Sequence, residues 1–131
     1  MFSIENIKVA EAQIKTGADF PEFIKNIKKM GVVRSDVYVA NGLSIYFDNE
    51  DQALQASPDS YPELIINDEP SADKLKHALH IHQQGESDYF TFCKQAADAG
   101  VEKWVIDLQQ MTCVYLDTAG NELVSESIPS I

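Results

Sequence analysis

The sequence contains few cysteines, no long apolar run and no basic residue between positions 41 and 70. The two cysteines, Cys93 and Cys113, are too few for a disulfide framework. No run of about 18 apolar residues occurs, so no segment is expected to span a membrane. The first ten residues lack the apolar stretch of a signal peptide. These absences indicate a cytoplasmic protein without membrane contact.

Positive charge is also scarce. Ten lysine and arginine residues stand against 21 aspartate and glutamate residues, which gives a net charge of −11, and seven of the acidic residues lie between positions 41 and 70. A nucleic-acid site needs clustered Lys and Arg. The one basic cluster, Lys25, Lys28 and Lys29, is typical of a solvated helix face. Nucleic acid is therefore not expected as a partner, whereas the acidic segment leaves a basic protein partner open.

The length and the periodic patterns predict one α+β domain over residues 1–131. A chain of this size buries roughly 70% of the surface that its unfolded form exposes, so it needs no crosslinks. Helical spacing of apolar residues predicts helices over 3–16, 20–30 and 71–84, and between Ser87 and Gly100. Alternation predicts strands over 32–40, 43–47, 52–56, 104–108, 112–116 and 121–127, with a possible edge strand over 63–67. Asn41-Gly42 predicts a two-residue hairpin turn.

The second half repeats the first after a shift of 69 residues. Residues 19–48 align with 88–117 without a gap, and seven of the thirty pairs are identical, including the helix-stop glycines Gly31 and Gly100. The pattern predicts an internal repeat of about 1–60 and 71–131. Each half would be α-α-β-β-β, related by a pseudo-two-fold, with helices on one face of a mainly antiparallel sheet. The alternative is that any two amphipathic helix–Gly–strand units look alike.

Alternation along the strands divides their residues between two faces. One parity is apolar and predicts the core face: Val37, Val39, Leu43, Ile45, Phe47, Trp104, Ile106, Leu108, Val114 and Leu116. The other parity predicts a mixed face: Asp36, Tyr38, Ser44, Tyr46, Val105, Asp107, Cys113 and Tyr115. The mixed face is interpreted either as a ligand groove or partner-binding face, or as a half-covered sheet with cross-strand tyrosine pairs.

Three residues are candidates for catalysis. His82 is predicted at the core boundary of its helix, Asp107 is a carboxylate at a strand position, and Cys113 is a thiol on the mixed face. A nucleophilic thiol would need His82 nearby in space. Cys93 lies on an apolar helix stripe and is expected to be a buried small hydrophobe.

No metal site or cofactor is expected. His77 and His80 are three residues apart on the outer side of the same helix, whereas zinc ligands on a helix more often lie four apart, and no further ligand is indicated. The segment 48–51 is rich in carboxylates but lacks the glycine and terminal glutamate of a calcium loop.

The C-terminal half resembles a small family of uncharacterised bacterial and prophage-borne proteins, sometimes labelled phage envelope proteins. The resemblance is carried by His82-Gln83-x-Gly85, Tyr89, Phe92-Cys93, Ala97, Ala99-Gly100-Val101, Trp104, Asp107, Cys113, Tyr115-Leu116-Asp117, Gly120 and Glu126-Ser127-Ile128-Pro129. It implies a compact α+β domain of this length. It implies no established activity, so no catalytic residue is carried over.

Two hypotheses of different classes follow. The favoured one is a non-enzymatic binding or regulatory module that engages a protein partner, or a second copy of itself, through the tyrosine face or the acidic segment. The alternative is a small enzyme or ligand-binding domain with a pocket near His82, Asp107 and Cys113. The candidate binding residues are Tyr38, Tyr46, Trp104, Tyr115 and Gln83.

Overall fold

Four helices and six strands follow one another in the order α-α-β-β-β, twice. The computed structural model describes residues 3–14, 19–57 and 61–128. The helices are α1 Ile4–Glu11, α2 Phe20–Lys29, α3 Ala72–Gln83 and α4 Tyr89–Asp98. The strands are β1 Val32–Tyr38, β2 Ser44–Asp48, β3 Ala53–Ala56, β4 Lys103–Asp107, β5 Thr112–Leu116 and β6 Glu122–Ser127. No helix in these ranges is long and apolar enough to cross a membrane.

Side-chain caps explain where three helices begin. Ser3 accepts from the Asn6 amide at 3.3 Å, and Ser71 accepts from the Lys74 amide at 3.2 Å. The cap of α4 is Asp88 rather than the predicted Ser87: its carboxylate accepts from the Thr91 amide at 2.7 Å. α1 ends at Glu11, and the predicted end at residue 16 lies outside the described residues.

The six strands form one antiparallel sheet in the order β3-β2-β1-β4-β5-β6, so the α+β prediction is confirmed. The two halves meet where β1 pairs with β4. Equivalent positions of the two predicted halves have equivalent cross-strand partners: Ser35 lies opposite Tyr46, and Trp104 lies opposite Tyr115. An ancestral duplication agrees with this register and stays a prediction.

The predicted core face is right for β1 and β4 and wrong for β2 and β5. Opposed residues of an antiparallel pair project to the same face. Val37 lies opposite Ser44, and Trp104 lies opposite Tyr115. Ser44 and Tyr115 are therefore buried beside the core residues, on what we call the inner face, which the helices cover. The remaining predicted core residues of these strands are half-buried on the opposite, open face: Ile45, Phe47, Val114 and Leu116.

Two further local predictions are wrong. The β1–β2 connection has five residues, 39–43, and of these only Gly42 has positive φ, at 74°. Asn41 instead accepts from the Leu43 amide at 3.1 Å. The segment 61–70 contains no strand. It is fixed by isolated bonds, such as Leu64 N–H to the Ala40 carbonyl at 2.9 Å.

Candidate functional site

A cavity of about 460 Å³ lies between the inner face and the helices. All four helices contribute to its roof: Lys8 and Glu11 of α1, Phe20 and Phe23 of α2, Leu79, His82 and Gln83 of α3, and Tyr89 and Phe92 of α4. Drug-sized ligands occupy pockets of about 300–1,000 Å³. The cavity therefore has room for a small organic molecule.

Two rows of cross-strand neighbours form the floor. The first, the Ser35 row, runs across the sheet as Leu54, Tyr46, Ser35, Ile106, Cys113 and Glu126. The second, the Trp104 row, runs as Ala56, Ser44, Val37, Trp104, Tyr115 and Val124. Neighbouring strands lie about 4.8 Å apart, so five spacings place the ends of the floor, from Ala56 of β3 to Glu126 of β6, about 24 Å apart. An elongated ligand would lie across the strands.

Ser35 occupies the middle of its row. Its side chain is fully buried and lines the cavity. Its hydroxyl has no hydrogen-bond partner in the part of the chain that the structure describes. A buried polar group left unpaired costs about 1–3 kcal/mol, and the Ser35 hydroxyl oxygen has almost no accessible surface.

Aromatic rings gather around Trp104, which is the only tryptophan of the chain. The Phe92 and Tyr115 ring centroids lie 5.6 and 5.8 Å from that of Trp104, both tilted. Tyr89 meets it edge-on at 6.3 Å and is 40% exposed. These separations are typical of favourable aromatic pairs. They give the cavity a broad apolar wall whose π-faces attract cations.

Glu11 and Tyr46 form a polar pair at the β2 end of the cavity. The Tyr46 hydroxyl donates to Glu11 Oε2 at 2.7 Å. Burial raises the pKa of the Glu11 carboxyl, and the Tyr46 hydrogen bond and the Lys8 charge oppose that rise. Burial, followed by the Glu11 charge, raises the pKa of Tyr46 as well, so its hydroxyl keeps its proton at neutral pH.

His82 lines the cavity from α3. Its ring stacks on Phe92, with centroids 4.6 Å apart and planes at 14°. Its Nδ1 lies 3.3 Å from both the carbonyl oxygen and the hydroxyl of Ser87. Burial lowers the pKa of the imidazole, against the opposing hydrogen bond to Ser87 and the charge of Asp88. The neutral tautomer that donates from Nδ1 to the carbonyl leaves Nε2 as an acceptor.

Cys113 and Glu126 lie at the β6 end of the Ser35 row. Burial raises the pKa of the Cys113 thiol to about 12, and Tyr115 partly opposes this shift. The thiol is therefore protonated at neutral pH, and no lowered pKa activates it as a nucleophile. The Glu126 carboxylate accepts from Gln83 Nε2 at 3.1 and 3.3 Å. Gln83 thus ties the end of α3 to β6.

The structure brings most of the predicted site residues together. Tyr46, Trp104, Tyr115 and Gln83 line the cavity with His82 and Cys113. Asp107 and Tyr38 do not, because each lies one position away from the inner-face parity. The Asp107 carboxylate accepts from the Gln109 and Gln110 amides at 2.9 Å, and so caps the β4–β5 turn. Cys93 is 1% exposed, and burial raises its pKa to about 11, in agreement with its predicted role as a core residue.

Three lining residues escaped the sequence analysis, although their pattern contained a signal. Ser35 has the parity of buried Val37, and Glu126 has the parity of Val124 and Ile128. Glu11 follows Ala10 on the buried stripe of α1. A polar residue at a core position indicates either a satisfied pair or a cavity. In the described part of the chain, no group of three His, Cys, Asp or Glu side chains is placed to hold a metal ion.

Protonation of His82 is predicted to destabilise the protein in mild acid. Its folded-state pKa lies below the ordinary value of 6.5, so the unfolded chain binds the proton more readily. The stability that the neutral His82 imidazole contributes is fully present above about pH 6.5 and is lost as pH falls through the folded-state pKa. Urea unfolding between about pH 5 and 7 should therefore show a flatter stability profile for His82→Phe, which keeps a ring on Phe92, than for the wild type. His80→Gln, at an exposed position of the same helix, is the control, and equal slopes for wild type and His82→Phe would contradict the prediction.

Fold and site together define an α+β domain whose helices and sheet enclose a ligand-sized cavity. A family described as a protein of unknown function, DUF1398, matches residues 8–127. The chain belongs to this family, which confirms the resemblance to a family without an established activity. No curated protein matches the chain closely enough to be a relative. A phage origin is no part of the match and stays a prediction.

Proposed function

We propose that this protein binds a small, largely apolar molecule in the cavity between its helices and its sheet. The observation that carries the proposal is the cavity itself, about 460 Å³ between the helices and the inner face, with Phe23, Phe92 and Trp104 in its lining. An apolar molecule of that size would gain dispersion contacts with these side chains.

The chemistry of the wall supports binding rather than catalysis. Of the three catalytic candidates, Asp107 lies on the open face, and the pKa of Cys113 is raised rather than lowered. His82 contacts Ser87 and Phe92 instead of a nucleophile. Mostly apolar walls with a few placed polar groups are typical of small-molecule sites.

A protein partner is less well supported, because the tyrosine face predicted for it is divided. Tyr46 and Tyr115 are 2% and 6% exposed beneath the helices, whereas Tyr38 lies on the open face. On that face the Lys103 ammonium lies 5.5 Å from the Tyr38 ring centroid, and the Arg34 guanidinium lies 4.2 Å from that of Phe47. These cations cover the rings that a partner would need.

Nile red, a neutral dye that fluoresces in apolar surroundings, tests the proposal. The wild type should give a saturable emission with one dye per chain. Ser35→Leu fills the middle of the cavity and should reduce the dye affinity at least about tenfold, which is about 1.4 kcal/mol. Ser125→Leu makes the same change at an exposed position of β6 that pairs with open-face Val114, and it should bind as the wild type does.

Two results would overturn the proposal: no saturable emission from the wild type, or equal affinity in Ser35→Leu and Ser125→Leu. A melting curve for each variant shows whether it folds. Ala56→Leu fills the β3 end of the floor and replaces Ser35→Leu if that variant is unfolded.

A further inference from the structure

A carboxylate lines the cavity at each end of the Ser35 row. Glu11 lies at one end of the Ser35 row through its bond with Tyr46, and Glu126 occupies the other end. His82 adds an acceptor in the tautomer whose Nδ1 donates to Ser87. A ligand that pairs with these groups donates hydrogen bonds.

The charges of the lining have the same preference. Two carboxylates, Glu11 and Glu126, face one ammonium, Lys8. Lys8 is exposed, whereas both glutamates are partly buried, so solvent screens the lysine more strongly. The whole chain carries −11, which repels anions from the entrance and attracts cations.

The aromatic wall also favours a cationic ligand. Trp104 is surrounded by Phe92, Tyr115 and Tyr89 at centroid distances of 5.6 to 6.3 Å. Ring faces attract ammonium groups, and tryptophan does so most strongly. Three independent features, the acceptors, the net charge and the π-faces, thus select one ligand class.

We propose that the molecule bound in this cavity is an organic amine, with its ammonium group held at one end of the Ser35 row, by the carboxylate of Glu11 or that of Glu126, and its apolar body on the Trp104 row. This inference rests on the proposed function and specifies its ligand class. The raised pKa of Glu11 agrees with it, because burial of the carboxylate is costly and the Lys8 charge offsets that cost only in part. Amine binding would offset that cost.

Three probes of matched shape test the inference: phenethylamine, phenethyl alcohol and phenylacetate, each titrated against bound Nile red. The amine should displace the dye at a concentration at least about tenfold lower than the acid requires, and also below that of the alcohol. This preference should weaken as the salt concentration rises. Trp104 emission, excited apart from the phenyl ring, gives a second readout of the same binding.

Charge-neutralising variants locate the contact. Glu11→Gln and Glu126→Gln keep the side-chain shape and an acceptor for Tyr46 or Gln83, and the variant at the end that holds the ammonium should reduce amine affinity several-fold while alcohol affinity stays unchanged. Glu122→Gln removes the same charge from the same strand, at an exposed position that pairs with open-face Leu116. It should leave the amine preference intact.

The outcomes separate this inference from the proposed function. If the alcohol or the acid displaces the dye as well as the amine does, or if none of the three displaces it, the amine inference is wrong while dye binding still supports a ligand cavity. If Glu122→Gln weakens amine binding as much as the cavity variant with the larger effect, the preference reflects overall charge and the assignment to Glu11 or Glu126 fails. Absence of dye binding overturns the proposed function itself.

Discussion

Replacing Trp104 with alanine should lower the free energy of unfolding by about 3–5 kcal/mol, the range for large aromatic residues in cores. The indole is 4% exposed and contacts three aromatic rings. The space left by the indole would join the cavity beside it. The neighbouring side chains could therefore fill little of that space. Domains of this size are stable by only about 5–15 kcal/mol, and the loss is thus a large share of the total.

Trp104→Phe is the matched control, because it keeps a ring against Phe92 and Tyr115 and should cost roughly 1–2 kcal/mol. Urea unfolding followed by circular dichroism gives both values without using tryptophan emission. A Trp104→Ala variant within about 1 kcal/mol of the wild type would mean that the indole is not packed as described.

The two helix-stop glycines of the repeat should respond unequally to alanine. Gly31 and Gly100 both have positive φ, 99° and 89°, where an L side chain costs about 1–2 kcal/mol. A Cβ on Gly31 meets no atom within 4 Å, whereas a Cβ on Gly100 lies 2.7 Å from the Pro70 Cα. Pro70 is held beside Gly100 by a hydrogen bond between their chain neighbours, from Ser71 N–H to the Ala99 carbonyl at 2.8 Å.

Gly100→Ala should therefore lose about 2–5 kcal/mol, since overpacking adds roughly 1–3 kcal/mol to the roughly 1–2 kcal/mol of backbone strain. Gly31→Ala should lose only the strain. Thermal or urea unfolding of the two variants measures the difference directly, and the equivalent positions make each the control for the other. Equal losses would show that the segment before α3 moves away from Gly100 freely.

Much of the candidate site could be read from the sequence, but the grouping of its residues could not. Tyr46, Trp104 and Tyr115 were selected because they are aromatic residues on predicted strands, and the structure places all three around one cavity. Asp107 was selected as a carboxylate on a predicted strand, but it lies on the open face, where it caps a turn. Ser35 was not selected, because the sequence does not show whether a cavity lies next to a small polar residue at a core position.

The sequence by itself determined the α+β class, the positions of most helices and strands and the match between the halves. These features arise from local periodicity, caps and glycine stops, which act over a few residues. The covered face of β2 and β5 was decided only by the tertiary structure. Both strands carry apolar residues on both faces, so alternation alone is ambiguous there. Pairing with β1 and β4 turned Tyr46, Cys113 and Tyr115 toward the inner face. The packing of four helices over that face formed the cavity, which the pattern of residues along a single strand does not reveal.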